Sequence, residues 1–114
     1  MGFFVENNWA LKLKPEQGLA ENTLEENKEY HFQKDGYRVY PIDMPIDLIN
    51  SQWEAVAKVI VTKTILENKT TSGTYFVLRI YQDEEKNIIS NNWRETAKII
   101  TQSNETDFSK IKVT

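Results

Sequence analysis

The sequence predicts a small, mostly β domain: a curved sheet or partly open β-barrel of five or six strands with a short C-terminal helix. Three observations carry that expectation. Residues 55–81 hold two long runs rich in Val, Ile, Thr and aromatic side chains, parted by Glu67-Asn68-Lys69, the pattern of a hairpin. Shorter runs at residues 9–13 and 42–48 alternate apolar and polar side chains at period two. The chain has 114 residues, 39% of them apolar and 11% aromatic, which supplies one core but is short for two. A single domain over residues 1–114 is expected, with an ordered core at about residues 8–101 and a polar tail over 103–114.

Each element follows from local pattern. Trp9, Leu11 and Leu13 share one side of a first strand that ends at Pro15 and Gly18. Residues 16–28 are rich in glutamate and predict a solvated connection with a helical turn around residues 23–27. A second strand covers residues 30–33, and Lys34-Asp35-Gly36 reads as a turn. Along residues 42–48, Ile42, Met44, Ile46 and Leu48 face one way and Asp43, Pro45 and Asp47 the other. Proline cannot donate to a ladder, so this strand should lie at an edge or bend at Pro41. Val59-Ile60-Val61 is apolar on both faces, which predicts a central strand over residues 55–66. It returns through residues 70–81, with Gly73 marking a bulge. This hairpin should be the stability core, with Ile60 and Phe76 among its costly positions. Residues 82–87 read as a charged loop. Asn92 with Glu95 three residues on, and Trp93, Ala97 and Ile100 at helical spacing, predict a helix over residues 92–102. Residues 93–100 also share Trp, Ala, Lys and Ile with residues 53–60; a repeat would make the second copy a strand, but one such match favours chance.

Charge and composition exclude whole classes of activity. Fourteen basic residues against 17 acidic give a net charge of -3, which argues against DNA as a partner and disfavours RNA. There is no cysteine, hence no disulfide, thiolate nucleophile or Cys-bound zinc, and one histidine supplies no His-rich metal site. No G-x-G-x-x-G, H-E-x-x-H or G-x-S-x-G motif is present, so no catalytic residue, metal or cofactor is expected. The opening Met-Gly-Phe-Phe-Val-Glu lacks a basic region and a long apolar stretch, and no apolar run is long enough to span a bilayer. A cytoplasmic protein without membrane contact is the expectation.

Four groups of side chains could carry chemistry. His31, between Tyr30 and Phe32, reads as a histidine at the edge of the core rather than a base. Asp43 and Asp47 fall four apart on one strand face, about 13 Å between Cα atoms, too far for a shared proton or one metal. They read as charges that blunt an edge. Glu25, Glu26 and Glu29, like Asp83, Glu84 and Glu85, lack the ligand spacing of a calcium loop and read as solvated loops. Tyr37, Arg38, Tyr40 and Trp53 combine a guanidinium with large planar rings, a candidate ligand-binding set that can stack bases or hold a phosphate. The same residues can be structural, with the rings filling a barrel and Arg38 pairing a carboxylate.

The segment Gly36-Tyr37-Arg38-Val39-Tyr40-Pro41-Ile42-Asp43-Met44-Pro45-Ile46 resembles a bacterial family, domain of unknown function 2584. That family shares a Gly-Tyr-Arg-aliphatic-Tyr/Leu-Pro-aliphatic-Asp/Glu-x-Pro segment. Residues 9–15 resemble its first strand and residues 57–71 its closing hairpin, so the resemblance spans about residues 8–82. It implies a compact, mostly β, cytoplasmic bacterial domain and attaches no catalytic or ligand role to the motif. The fold analogy is to the pseudobarrels of PUA-like RNA-binding modules. The expected function is a non-enzymatic binding or protein-interaction module, monomeric or weakly dimeric, that contacts a protein partner or a small ligand. The alternative is an RNA-binding accessory domain that uses the aromatic and arginine patch around Tyr37, Arg38 and Tyr40.

Overall fold

The computed structural model describes residues 5–102, so the expected polar tail lies outside the described residues. The strands in chain order are β1 (Val5–Asn7), β2 (Ala10–Lys12), β3 (Glu29–Asp35), β4 (Tyr37–Val39), β5 (Pro45–Ile49), β6 (Ala55–Glu67) and β7 (Thr70–Ile80). A helix, α1 (Asp83–Gln102), follows them, and 3-10 turns occupy Pro15–Gln17 and Glu21–Thr23. Five strands make one sheet in the order β2-β5-β6-β7-β3, and β1 pairs with β4 in a separate two-stranded ladder. The mostly β class, the five-stranded curled sheet and the C-terminal helix all match the sequence reading.

The two edges of the curled sheet are tied together. Lys34 on β3 extends its ammonium to the main-chain carbonyl of Lys12 on β2, the opposite edge strand. The gap between those edges is plugged by the segment after β2, whose Leu13, Leu19 and Leu24 are buried. The result is a half-barrel filled by Leu11, Phe32, Leu48, Val59, Val61, Tyr75 and Val77. Residues 16–28 are therefore more than the solvated connection expected of them. Their two leucines complete the core, and the helical turn falls at Glu21–Thr23 rather than at residues 23–27.

Pairing decides which face of the hairpin is inside. Val59 lies opposite Val77 and Val61 opposite Tyr75, and all four are fully buried. Ile60 lies opposite Phe76 on the other face, and both are half-buried. The costly positions are thus the odd-numbered neighbours of the two expected from sequence. A bulge does occur near Gly73, but the extra residue is Thr62 on the facing strand, between the Val61–Tyr75 and Lys63–Thr74 pairs.

Three boundaries differ from the sequence reading. The helix starts at Asp83, nine residues before the expected Asn92, so all but the first residue of the run read as a charged loop lies in its opening turns. Asp83, Glu84 and Glu85 suit the positive end of a helix dipole, and contacts far away in sequence anchor the turns that follow. Residues 42–48 do not form one strand. Asp43, at φ 60°, turns the chain and leaves Ile42 and Met44 exposed, while Ile46 and Leu48 are buried in β5. Nor is β5 an edge: it lies between β6 and the three-residue β2, and Pro45 opens the strand where β2 does not reach. Finally, Lys34 and Asp35 belong to β3. Only Gly36, at φ 84°, turns the chain, which then leaves the main sheet to pair in parallel with β1.

Candidate functional site

An open groove lies on the outward face of β3, β7 and β6. Thr74 on β7 stands between His31 on β3 and Lys63 on β6, and in the next row Ser72 stands between Gln33 and Ile65. Directly opposed residues of an antiparallel ladder point to one side, with Cβ atoms about 4.5–5.5 Å apart. One imidazole, one ammonium, two hydroxyls and an amide therefore share one surface. Thr62 donates its hydroxyl proton to Glu29 Oε2 (3.0 Å), and its oxygen lies 2.6 Å from that of Thr74.

Two glycines build this groove. Gly18 sits at φ 115°, and a Cβ there would lie 2.2 Å from the main-chain oxygen of His31. That close approach, with the Tyr75 hydroxyl donating to the Gly18 carbonyl (2.9 Å), sets the turn Pro15–Gln17 against β3 as a wall bearing Glu16 and Gln17. Gly73 lies in the floor, where a Cβ would come within 2.0 Å of the Lys63 carbonyl oxygen. The enclosed space is about 400 Å³. His31, expected at the core edge, is exposed on the outer side of an edge strand and lines this space.

A smaller hollow of about 170 Å³ lies between Asn8, Trp9, Val39, Tyr40 and Pro41. Trp9 and Val39 are 56% and 40% exposed there.

The four residues expected to form a ligand patch are dispersed. The Tyr37 hydroxyl accepts from the Lys69 N–H (3.0 Å), at the β6–β7 turn. Arg38 donates its main-chain N–H to the Thr71 hydroxyl (2.8 Å) and its Nε–H to the Asp35 carbonyl (3.0 Å). Tyr40 is buried in the half-barrel, edge-on to Phe32 with ring centroids 5.6 Å apart. Trp53 sits at the other end of β6, and the Lys12 ammonium lies 3.9 Å from the centroid of its ring. These side chains do not make the common surface on which the RNA alternative rests.

The expected carboxylate pair also separates. Asp43 is exposed at a turn, whereas Asp47 is half-buried and accepts two hydrogen bonds, from the Tyr81 hydroxyl (2.6 Å) and the Trp93 indole (2.9 Å). Burial, then the bond to Asp47, pushes the Tyr81 hydroxyl far above the usual phenol range. Asp47 therefore docks a helix rather than blunting an edge. Glu25 pairs with Lys28 at an exposed site, Glu26 accepts the Ile80 N–H (3.1 Å), and Glu85 pairs with Arg79. Among the described residues no three His, Asp or Glu side chains converge as metal ligands.

A half-barrel of this kind, open to solvent along one polar groove, defines a small β domain. The chain belongs to the DUF2584 family, a domain of unknown function whose model matches residues 1–82. It is similar to the crystal structure of protein ytmB from Bacillus subtilis, with 30% identity and a TM-score of 0.58. The match covers 71% of this chain and 95% of that one. No curated protein matches the chain. The groove lies wholly within the family span, and α1 lies wholly beyond it.

Proposed function

We propose that this protein is a non-enzymatic binding module whose working surface is the groove across β3, β7 and β6. Its ligand is a small polar molecule carrying an anionic group, a carboxylate or phosphate, seated between Lys63 and His31. The observation that carries the reading is the row His31–Thr74–Lys63, set above a glycine floor and beside a glycine-pinned wall. Lys63 offers three donors, His31 and the Gln33 amide offer more, and Glu16 at the far wall suits a cationic end of the same ligand. A space of about 400 Å³ is within the range of small-ligand sites, about 300–1,000 Å³. A binding role is favoured over catalysis because the threonine paired with His31 across the ladder has its hydroxyl engaged with that of Thr62 (2.6 Å) rather than with the imidazole. The family and its Bacillus relative support a bacterial protein, and the cysteine-free composition suits the cytoplasm.

The test is a titration of isotope-labelled protein with inorganic phosphate, citrate and glutamate, followed by amide NMR shifts. Saturating shifts at His31, Gln33, Lys63 and Ser72 for at least one probe are expected, with affinity reduced about tenfold or more in Lys63→Ala. An absence of saturation up to about 10 mM, or shifts confined to Trp9 and Val39, would contradict it. A short RNA that bound at Tyr37 and Arg38 in preference to these probes would replace it with the RNA alternative.

A further inference from the structure

We infer that the surface beneath α1 is a helix-docking site of the family domain, filled in this protein by its own C-terminal helix as a detachable ligand. The family match ends at residue 82 and α1 begins at Asp83, so the boundary between domain and helix falls at the boundary of the family. Every receptor group lies on the domain side. Asp47 Oδ2 accepts the Trp93 indole N–H (2.9 Å), and the Ala55 main-chain N–H donates to the Ser90 hydroxyl (2.8 Å). At the rim, Glu54 meets Arg94 at 3.4 Å and Arg79 meets Glu85.

The two inner contacts are specific to a helix. Ser90 and Trp93 are three residues apart, hence neighbours on one helical face, and Lys86 and Ala97 extend that face above and below. Ser90 is 2% exposed, and Tyr81 beside it is equally buried. The receptor groups are also tied to one another. Tyr81, the penultimate residue of the family span, holds Asp47 Oδ1 at 2.6 Å and so aims Oδ2 at the incoming indole. Among the described residues, none of the buried hydrophobic side chains that fill the half-barrel comes from α1. Nearly all of the Bacillus chain is matched by 71% of this one, so a similar chain folds at about that length. The partner that fits the site is an amphipathic helix presenting a hydroxyl and an indole N–H three residues apart. Here the tether supplies it at high effective concentration.

The inference does not rest on the groove, whose lining residues lie elsewhere on the sheet. It is tested with a chain ending at residue 82 and a fluorescent synthetic peptide of residues 83–102. The shortened chain should fold, as shown by dispersed NMR amides, and bind the peptide one to one with micromolar affinity. Trp93→Phe in the peptide, which keeps an aromatic ring but trims the indole and removes its N–H, should weaken binding about tenfold or more, as should Asp47→Asn in the shortened chain. The full chain, its site already filled, should not bind the peptide. Failure of the shortened chain to fold would make α1 part of the domain and overturn the inference. So would no binding to a folded shortened chain at about 100 μM peptide, or an unchanged affinity in both variants.

Discussion

Gly73→Ala tests both the fold and the groove, because the floor depends on a close approach that no other residue allows. The added Cβ would lie 2.0 Å from the Lys63 carbonyl oxygen and 3.0 Å from Phe32 Cε2. A carbon and a carbonyl oxygen settle at about 3.3 Å or more, so strands β6 and β7 must part by about 1 Å at this rung. The obstacle is backbone, which cannot rotate away. Overpacking of this kind costs about 1–3 kcal/mol, and a displaced ladder hydrogen bond adds about 1 kcal/mol. The lower conformational entropy of the unfolded alanine chain offsets ~0.4–1 kcal/mol of that cost. The expected net loss is about 1–3.5 kcal/mol, measured as the shift in urea midpoint at constant slope. Ser72→Ala, one residue away on the groove face, should cost less than about 0.5 kcal/mol. A Gly73→Ala loss below about 0.5 kcal/mol would refute the close approach and the groove floor with it.

Two further outcomes follow from burial. Val61→Ala removes a fully buried side chain and should cost about 2–3 kcal/mol, more than Ile60→Ala on the half-buried face; the reverse order in urea denaturation would place the wrong face inside. Burial pushes the Tyr75 hydroxyl up to about 12, and Tyr81 is raised further, whereas an unfolded tyrosine titrates near about 10. The folded state thus keeps protons that the unfolded state releases. Stability should be full below about pH 10 and fall as the pH rises toward about 12. Circular dichroism across that window should show the decline, and Tyr75→Phe should flatten it; a decline of equal slope in Tyr75→Phe and Tyr81→Phe would contradict this origin.

The β class and the long hairpin were legible in the sequence because both are local: β-branched and aromatic runs broken by Glu67-Asn68-Lys69 pair with their nearest neighbour. What depends on distant partners was not. Val59-Ile60-Val61 is apolar throughout, so only the pairing with β7 and the curl of the sheet select Val59 and Val61 as the inner pair. Residues 83–87 carry charge and little apolar surface, and they open a helix whose Ser90 and Trp93 are anchored to Ala55 and Asp47, some forty residues earlier. The candidate patch of Tyr37, Arg38, Tyr40 and Trp53 was assembled from residue types, and strand β6 separates its members. The groove had a faint signal in Gly18 and Gly73. Its row of His31, Thr74 and Lys63 joins three strands, and the skipped Thr62 shifts the register that brings them into line.

The central claim is that the groove is where this domain meets its ligand. The most direct measurement is a crystal structure of the protein with the tightest of the anionic probes. The anionic group is predicted to lie within hydrogen-bond distance of Lys63 Nζ and the His31 imidazole, with the rest of the molecule against Ser72 and the Glu16–Gln17 wall. A probe seated instead between Trp9 and Val39, with the groove holding only water, would contradict the account.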